Sequence, residues 1–308
     1  MAILRIENLT KDYVTGLRGQ RFRALSDLNL EVERGEIFGF LGPNGAGKTT
    51  TIKILLRIIF PTAGNAWILD QDIRHAVEMH RIGYMPENPY FYRFLTGYEF
   101  VMFYSRLAAM PHEDARKKAE RLLEIVGLTY AKKTRLSDYS KGMVTRVGLA
   151  QALVTDPQLL LLDEPMSGLD PIGRREIRDL IMQMKEEKKT IFFCSHILAD
   201  VEMLCDRIAI LNKGKLMKVG TVMEILSSGQ SKYTLSLEMP AGDTLDTLKS
   251  MAEKWEEVSG LVHITASSQE SAQQILEKAT AAKARIVEYR PERGTLEDYF
   301  VREVGSRG

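Results

Sequence analysis

The most informative segment of the sequence is Gly42-Pro43-Asn44-Gly45-Ala46-Gly47-Lys48-Thr49-Thr50. It matches the pattern G-x-x-x-x-G-K-[ST], in which backbone N–H groups surround the phosphates of a nucleotide. Its three glycines lack a β-carbon, so we expect the positive φ angles that turn successive N–H groups toward one anion. In this pattern the lysine, Lys48, reaches the β- and γ-phosphates, and the Thr49 hydroxyl is available to Mg²⁺.

The residues on either side of this loop fit the same interpretation. Glu36–Leu41 predict a short buried strand, and Thr51–Ile59 predict a helix that ends before Pro61. The loop would then lead into a helix N-terminus, where unpaired N–H groups and the helix dipole favour negative charge. The bare pattern arises by chance in roughly one chain in a hundred of this length. An accidental glycine-rich turn is the alternative, and the strand–loop–helix context disfavours it.

A second candidate element is a pair of carboxylates that follows four leucines. Leu159–Leu162 are too few for a helix and predict a strand buried on both faces of a parallel sheet. Asp163 and Glu164 come at its carboxyl end, where open α/β sheets bind ligands. An Asp there can hold Mg²⁺, and the adjacent Glu can orient or deprotonate a water. The alternative is a helix N-terminus with acidic residues.

Composition limits the class of protein. The chain has 308 residues, 42 basic and 41 acidic, and a net charge of +1, so it has no overall electrostatic drive toward nucleic acid or an anionic membrane. Cys194 and Cys205 lack metal-ligand spacing, and we interpret both as buried residues of a reducing compartment. No apolar run reaches the ~20 residues that span a bilayer. We therefore expect a cytoplasmic protein that another chain must hold at any membrane.

The order of the remaining segments predicts two domains. Residues 3–9 and 25–32 alternate apolar and polar side chains as half-buried strands do, and residues 88–156 are mainly helical, with Ser140 as one helix N-cap. Residues 227–231 have the composition of a linker. We predict an α/β domain over 1–225 and a small α+β domain over 231–308. The second domain is expected to contain a helix at Thr244–Trp255 and another at Leu296–Val304.

Taken together, these elements resemble the ATP-binding subunit of an ABC transporter over residues 1 to about 225. The resemblance implies a P-loop NTPase core with an N-terminal antiparallel β subdomain and an inserted helical subdomain. From the residues alone, Tyr13 can be either a ring that stacks on adenine or a tyrosine at the end of a strand. The matching residues are Tyr13 for the adenine-stacking aromatic, Gly42–Thr50 for the phosphate loop, Asp163 and Glu164 for the Mg²⁺ strand and catalytic glutamate, Ser167-Gly168-Leu169-Asp170 for the loop between paired subunits, and His196 for the switch histidine.

Two motifs depart from the common pattern of the family. The signature Leu-Ser-Gly-Gly-Gln is replaced by Tyr139-Ser140-Lys141-Gly142-Met143, which keeps the serine and the second glycine but adds a charge. Glu87 stands where the family has glutamine, and its carboxylate can still reach Mg²⁺ or a water bound to it. These variants resemble those of the exporter-associated branch, whose members often carry a small C-terminal extension.

The resemblance implies a mechanism. Two subunits, most simply a homodimer, meet head to tail, with ATP between the phosphate loop of one and residues 140–143 of the other. Thr49, Asp163 and Glu87 position Mg²⁺, while Lys48, Glu164 and His196 act on the phosphates and the attacking water. We expect an integral membrane permease as partner, docked near the aromatic cluster Tyr90–Phe94, at the cytoplasmic face of the membrane. The alternative is a soluble ABC ATPase that acts on ribosomes or DNA.

Overall fold

The computed structural model describes residues 1–15, 20–75, 77–89, 91–227, 232–238, 243–292, 295–297 and 299–300. The chain divides into two compact units, Met1–Gly220 and Thr221–Gly308. This division lies a few residues before the end of the first domain predicted from linker composition. Among the helices of the described ranges, none combines the length and the apolar character that a membrane span requires.

The first unit opens with an antiparallel sheet in the order β2-β1-β4-β5. Its strands are β1 (Ala2–Thr15), β2 (Gln20–Glu33), β4 (Ala63–Ile68) and β5 (Gln71–Asp72). β1 and β2 each have 14 residues and are longer than predicted, because the apolar alternation fades before the strands end. Their register places Tyr13 opposite Phe22.

A six-stranded sheet in the order β10-β9-β3-β8-β7-β6 forms the centre of this unit. Its strands are β3 (Ile37–Leu41), β6 (Ile82–Met85), β7 (Leu159–Asp163), β8 (Thr190–Ser195), β9 (Arg207–Asn212) and β10 (Lys215–Thr221). β3, β7 and β8 pair in parallel and every one of their residues is buried. Continuous apolar strands are expected in a parallel sheet covered on both faces. The carboxyl ends of these strands therefore meet at one edge.

Six α-helices in the described part of the first unit connect these strands. They are α1 (Lys48–Leu55), α2 (Gly97–Leu107), α3 (His112–Ile125), α4 (Lys141–Ala152), α5 (Pro171–Glu186) and α6 (Leu198–Leu204). α2 contacts both α3 and α4, as an inserted helical subdomain requires. α1 begins and ends earlier than predicted, because Arg57 takes a φ of +57° that no helix residue adopts. α6 was not predicted.

The second unit contains the split βαβ arrangement of ferredoxin-like folds. After α7 (Val222–Ser227) come β11 (Lys232–Glu238), α8 (Asp243–Met251), β12 (Lys254–Val258), β13 (Leu261–Ala266), α9 (Gln269–Ala281) and β14 (Arg285–Glu292). The sheet order is β12-β13-β11-β14, with every neighbouring pair antiparallel. Its core packs Leu235, Ile264 and Ile275 together.

One prediction for the second unit is wrong and one lies mostly outside the described residues. The helix expected over Thr244–Trp255 ends at Met251, and Trp255 lies in β12. All five residues of β12 are exposed, so this edge strand has none of the apolar alternation that would distinguish it from a helix end. Most of the helix expected over Leu296–Val304 falls outside the described residues.

Candidate functional site

The phosphate loop joins the end of β3 to the first turn of α1. Gly45 and Gly47 have φ angles of +80° and +111°, as predicted for residues that turn N–H groups toward an anion. The prediction of a positive φ is wrong for Gly42, whose φ is not positive. A β-carbon on Gly42 would lie 2.4 Å from the Leu211 carbonyl oxygen. Glycine is required there because the loop passes close to the backbone of β9.

Lys48 is buried and its ammonium is surrounded by acceptors of the chain itself. Nζ donates to the Gly42 carbonyl at 2.6 Å and lies 3.5 Å from the Pro43 carbonyl oxygen. It also forms an ion pair with Glu164, at 3.2 Å from Oε1. An ammonium has three N–H donors, so a phosphate bound here would have to share or replace these contacts.

Asp163 faces the hydroxyl of Thr49. The Thr49 hydroxyl donates to Oδ2 at 3.1 Å, while Oδ1 is buried and has no hydrogen-bond partner. Burial raises the pKa of the Asp163 carboxyl, the Thr49 hydrogen bond partly lowers it, and the charges of Glu164 and Glu87 raise it again. A bound cation would relieve that penalty. Since Mg²⁺ prefers oxygen ligands, the buried lone acceptor, the hydroxyl and the carboxylate of Glu87 fit this ion.

Glu164 follows directly after β7, and its side chain contacts His196. Its φ of +52° is unusual for a residue with a side chain and is typical of functional positions. The His196 N–H donates to Oε2 at 3.3 Å, and the ring Nδ1 lies 2.7 Å from the same oxygen. The His196 side chain is 43% exposed, whereas that of Glu164 is 5% exposed. Lys48, Glu164 and His196 therefore form one continuous chain of contacts.

Lys48, Thr49 and Glu164 border a cavity of about 190 Å³, and its lining does not include Asp163 or His196. Its lining comprises Tyr13, Phe22, Ala24, residues 43–50, Glu87 and Glu164. The Lys11 ammonium lies 5.2 Å from the centroid of the Tyr13 ring, so the ring has a cation on one side. No pattern in the sequence indicates that Phe22, which is 56% exposed, lines this cavity. Only the register of β1 and β2, which sets it opposite Tyr13, could have identified it.

Residues 140–143 lie at the start of α4 and do not line this cavity. Ser140 is the N-cap, as predicted, and its hydroxyl accepts from the Met143 N–H at 3.3 Å. Ser140 and Lys141 are exposed. Within one chain, this stretch and the phosphate loop are two separate candidate surfaces.

The loop of residues 167–170 links Glu164 to α5. The Ser167 N–H donates to the Glu164 carbonyl oxygen at 3.1 Å. Asp170 is the N-cap of α5, and its Oδ1 accepts from the Gly173 N–H at 2.7 Å. Gly168 takes a φ of +66° and is exposed, while Leu169 is buried. Any displacement of this loop therefore bears directly on the Glu164 backbone.

The fold and the phosphate loop define a nucleotide-binding ATPase of the α/β class. A sequence model of the ABC transporter family matches residues 25–167. The chain is 41% identical to the uncharacterized ABC transporter ATP-binding protein sll0415 of Synechocystis sp., over 97% of this chain and 84% of that protein. It is 34% identical to the bacitracin transport ATP-binding protein BcrA of Enterococcus faecalis, over 99% of this chain and 97% of BcrA.

A solved structure supports the same assignment. The dimeric post-hydrolysis structure of the ATP-binding cassette MJ0796, bound to ADP and Pi, is 26% identical to this chain. The TM-score is 0.62, and the similarity covers 71% of this chain and 98% of the cassette. The chain belongs to the ATP-binding subunits of ABC transporters. The predicted family, the α/β P-loop fold and the ATPase class are confirmed.

Proposed function

We propose that this chain energises a separate membrane permease, most simply an exporter, by ATP-driven dimerisation and hydrolysis. The observation that carries the proposal is the separation of two helix N-termini, each of which can accept an anion. Lys48, Asp163 and Glu164 converge at the N-terminus of α1, whereas the N-terminus of α4 faces solvent. Each surface is half of a site that a head-to-tail second copy would complete.

Within one site, each residue has a chemical role. Lys48 and the loop N–H groups stabilise negative charge on the β- and γ-phosphate oxygens. Thr49 and Asp163, with Glu87, would hold Mg²⁺, which neutralises phosphate charge when bound. Glu164 orients the attacking water, and His196 positions the Glu164 carboxylate through the 2.7 Å contact. Tyr13 stacks on the adenine.

The free energy that such a dimer requires is within reach of a few hydrogen bonds. Moving a two-state equilibrium from 1:99 to 99:1 takes about 5.5 kcal/mol, or about 2.7 kcal/mol for each of two nucleotides. Hydrogen bonds to charged groups contribute about 1.5–3 kcal/mol apiece. The Ser140 hydroxyl and the N–H groups of the first turn of α4 can supply such bonds to a γ-phosphate. Hydrolysis would remove them and reset the dimer.

The permease partner would hold the chain at the cytoplasmic face of the membrane. BcrA, similar over nearly its whole length, is named for bacitracin transport, which favours an exporter. Tyr92 and Phe94 are 46% and 69% exposed and form a surface that a permease segment could cover. Phe91 instead packs on Phe100, with ring centroids 4.5 Å apart, and Tyr90 lies outside the described residues. Replacing Tyr92 and Phe94 with Ser should uncouple ATP hydrolysis from transport, and unchanged transport would refute this docking surface.

We propose that the second unit, predicted over 231–308, is an accessory domain that supports the dimer or contacts the permease. Its sequence has no phosphate loop. Among the residues that the structure describes, no group of three or more His, Cys, Asp or Glu side chains forms a metal site. A chain that ends at residue 230 should bind ATP as the full chain does, and complete loss of binding would contradict this division.

The experiment that tests the proposed function replaces Glu164 with Gln. Glu164→Gln keeps the shape of the side chain but cannot act on the attacking water. We expect no release of phosphate, while ATP with Mg²⁺ still drives dimerisation, as measured by light scattering. Glu120→Gln, an exposed change on α3, is the matched control and should leave both properties unchanged. Phosphate release from Glu164→Gln at the wild-type rate would contradict the assignment.

A further inference from the structure

Two arginines of α5 face an aspartate of α6. Arg174 and Arg178 lie one turn apart on α5, so they share one face of that helix. Asp200 and Met203 share a face of α6 in the same way. Arg178 Nη1 donates to the Met203 sulfur at 3.0 Å, so these two faces meet. Because both helices start at the same edge of the sheet, after the parallel strands β7 and β8, Asp200 is placed opposite Arg174.

The Asp200 carboxylate lies near several charged groups, and one of its oxygens is unpaired. Oδ2 is buried and has no hydrogen-bond partner among the residues that the structure describes. Burial raises the pKa of this carboxyl, while the charges of Arg174 and Arg178 lower it. Weaker contributions come from Glu164, which raises the pKa, and from His196, which lowers it. A buried acceptor beside a cation is therefore available for a direct hydrogen bond.

The Arg174 guanidinium already holds the loop of residues 167–170. Nε donates to the Leu169 carbonyl oxygen at 3.2 Å. The loop in turn donates a hydrogen bond to the backbone carbonyl of Glu164. A guanidinium has five N–H donors in a rigid fork, so Arg174 can keep its bond to Leu169 and donate to Asp200 as well. One side chain can thus connect α6 to the backbone of the loop.

We propose that Asp200 is a positioning residue for ATP hydrolysis. Its carboxylate holds the Arg174 guanidinium against the Leu169 carbonyl and so fixes the loop that bears on Glu164. Asp200 does not line the cavity beside Lys48, and it acts through Arg174. The inference rests on the role of Glu164 in the proposed function and adds a residue of α6 to it. Catalytic hydrogen bonds often tighten only when substrate binds, so we expect a direct bond from Arg174 to Asp200 in the ATP complex.

The first test compares hydrolysis and loop order in two variants of Asp200. Asp200→Asn removes the charge and keeps the shape, while Asp200→Glu keeps the charge. Loss of a charge-assisted bond should lower kcat for phosphate release about tenfold in Asp200→Asn, with the equilibrium affinity for ATP unchanged. Asp200→Glu should retain most of kcat. Hydrogen exchange in the loop of residues 167–170 should be faster in Asp200→Asn than in the wild-type chain.

Asp114→Asn is the matched control for an effect on helix stability. Asp114 lies in the first turn of α3, as Asp200 lies in that of α6, and it is exposed. Its replacement removes the same favourable interaction with a helix dipole. We expect unchanged kcat and unchanged loop exchange in this variant. Equal losses of kcat in Asp114→Asn and Asp200→Asn would overturn the inference, because Asp200 would then only stabilise the start of its helix.

A double-mutant cycle with Arg174 tests the path of the effect. Arg174→Met removes the guanidinium and should lower kcat at least as much as Asp200→Asn does. Adding Asp200→Asn to Arg174→Met should cause less than about a twofold further loss, because no guanidinium is left to hold. A full further loss would overturn the inference, since Asp200 would then act through His196 or through α6 itself.

Failure of this inference is distinguishable from failure of the proposed function. If Glu164→Gln releases phosphate at the wild-type rate, the role of Glu164 fails, and the inference that rests on it fails too. If Glu164→Gln is inactive while Asp200→Asn keeps the wild-type kcat and the wild-type loop exchange, only the inference fails.

Discussion

The N-termini of α1 and α4 begin with the same chemistry and lie in opposite environments. α1 starts at Lys48 after Gly47, and α4 starts at Lys141 after Ser140. Lys48 is 6% exposed and meets three acceptors, whereas Lys141 is exposed and meets none among the described residues. The chain itself supplies the groups that surround the N-terminus of α1. In the proposed dimer, the N-terminus of α4 would gain its surroundings from a second molecule.

The N-caps of the two helices also differ, because only the cap of α4 has a side chain that bonds to the helix. Gly47 has no side chain and a φ of +111°, so nothing on the cap competes with an anion for the first N–H groups of α1. Ser140 is a side-chain cap that satisfies the Met143 N–H. The solvent-exposed N-terminus of α4 is thus stabilised by the hydroxyl of its own cap, Ser140. The buried N-terminus of α1 has no side-chain cap and is stabilised by the residues packed around it.

The largest expected effect comes from Gly47→Ala. A β-carbon there would lie 2.7 Å from the Ala24 carbonyl oxygen and would force an L-residue into a φ of +111°. We expect a loss of about 3 kcal/mol in the free energy of unfolding, measured by urea titration. Gly142→Ala is the matched control, because a β-carbon at that position would have no neighbouring atom within 4 Å. Equal stability of the two variants would show that the two helix N-termini do not differ in how closely the chain packs around them.

The next effect separates folding from assembly at α4. Gly142→Asp places an acid in the first turn of α4, which the helix dipole favours by about 0.3–1 kcal/mol. The same carboxylate would repel a γ-phosphate brought by a second subunit. We expect an unchanged or slightly higher melting temperature and at least a hundredfold loss of ATP-driven dimerisation, about 2.7 kcal/mol. Retained dimerisation would show that this helix end does not face the nucleotide.

The smallest effect is expected from Ser140→Ala. Loss of an N-cap hydroxyl costs about 1 kcal/mol of stability. Ser268, the N-cap of α9, accepts from the Ser271 N–H at 3.1 Å and offers a matched control. Ser140→Ala and Ser268→Ala should lose similar stability, while only Ser140→Ala weakens ATP-driven dimerisation. A dimerisation defect in both would mean that the cap acts through folding alone.

The sequence predicts the elements of the site better than their contacts. The phosphate loop, the strand that ends at Asp163 and the N-cap at Ser140 follow from local patterns, because each depends on neighbouring residues. The ion pair between Lys48 and Glu164 joins distant parts of the chain, and it depends on a left-handed φ at Glu164 that no pattern indicates. The role of Gly42 was misjudged for the same reason, since its constraint is the Leu211 carbonyl of another strand.

Other features of the fold are not predictable from the sequence for similar physical reasons. Phe22 joins the cavity only through the register of β1 and β2, which sets it opposite Tyr13. The first two residues of β12 were predicted as the end of a helix, because an exposed edge strand needs no apolar face. Cys194 and Cys205 are buried and free, as the absence of ligand spacing suggested. Buried parallel strands and capped helices were the most predictable elements.

In the proposed dimer, α1 of one chain and α4 of another form one site, and an experiment that mixes two variants can detect this pairing. Lys48→Ala should disable the α1 half and Gly142→Asp the α4 half, so each variant alone should release no phosphate. In a head-to-tail dimer of one chain of each, one site carries both changes and the other carries neither. We predict that the mixture releases phosphate and that ATP brings the two differently labelled variants together. A mixture that neither associates with ATP nor releases more phosphate than the separate variants would contradict the account.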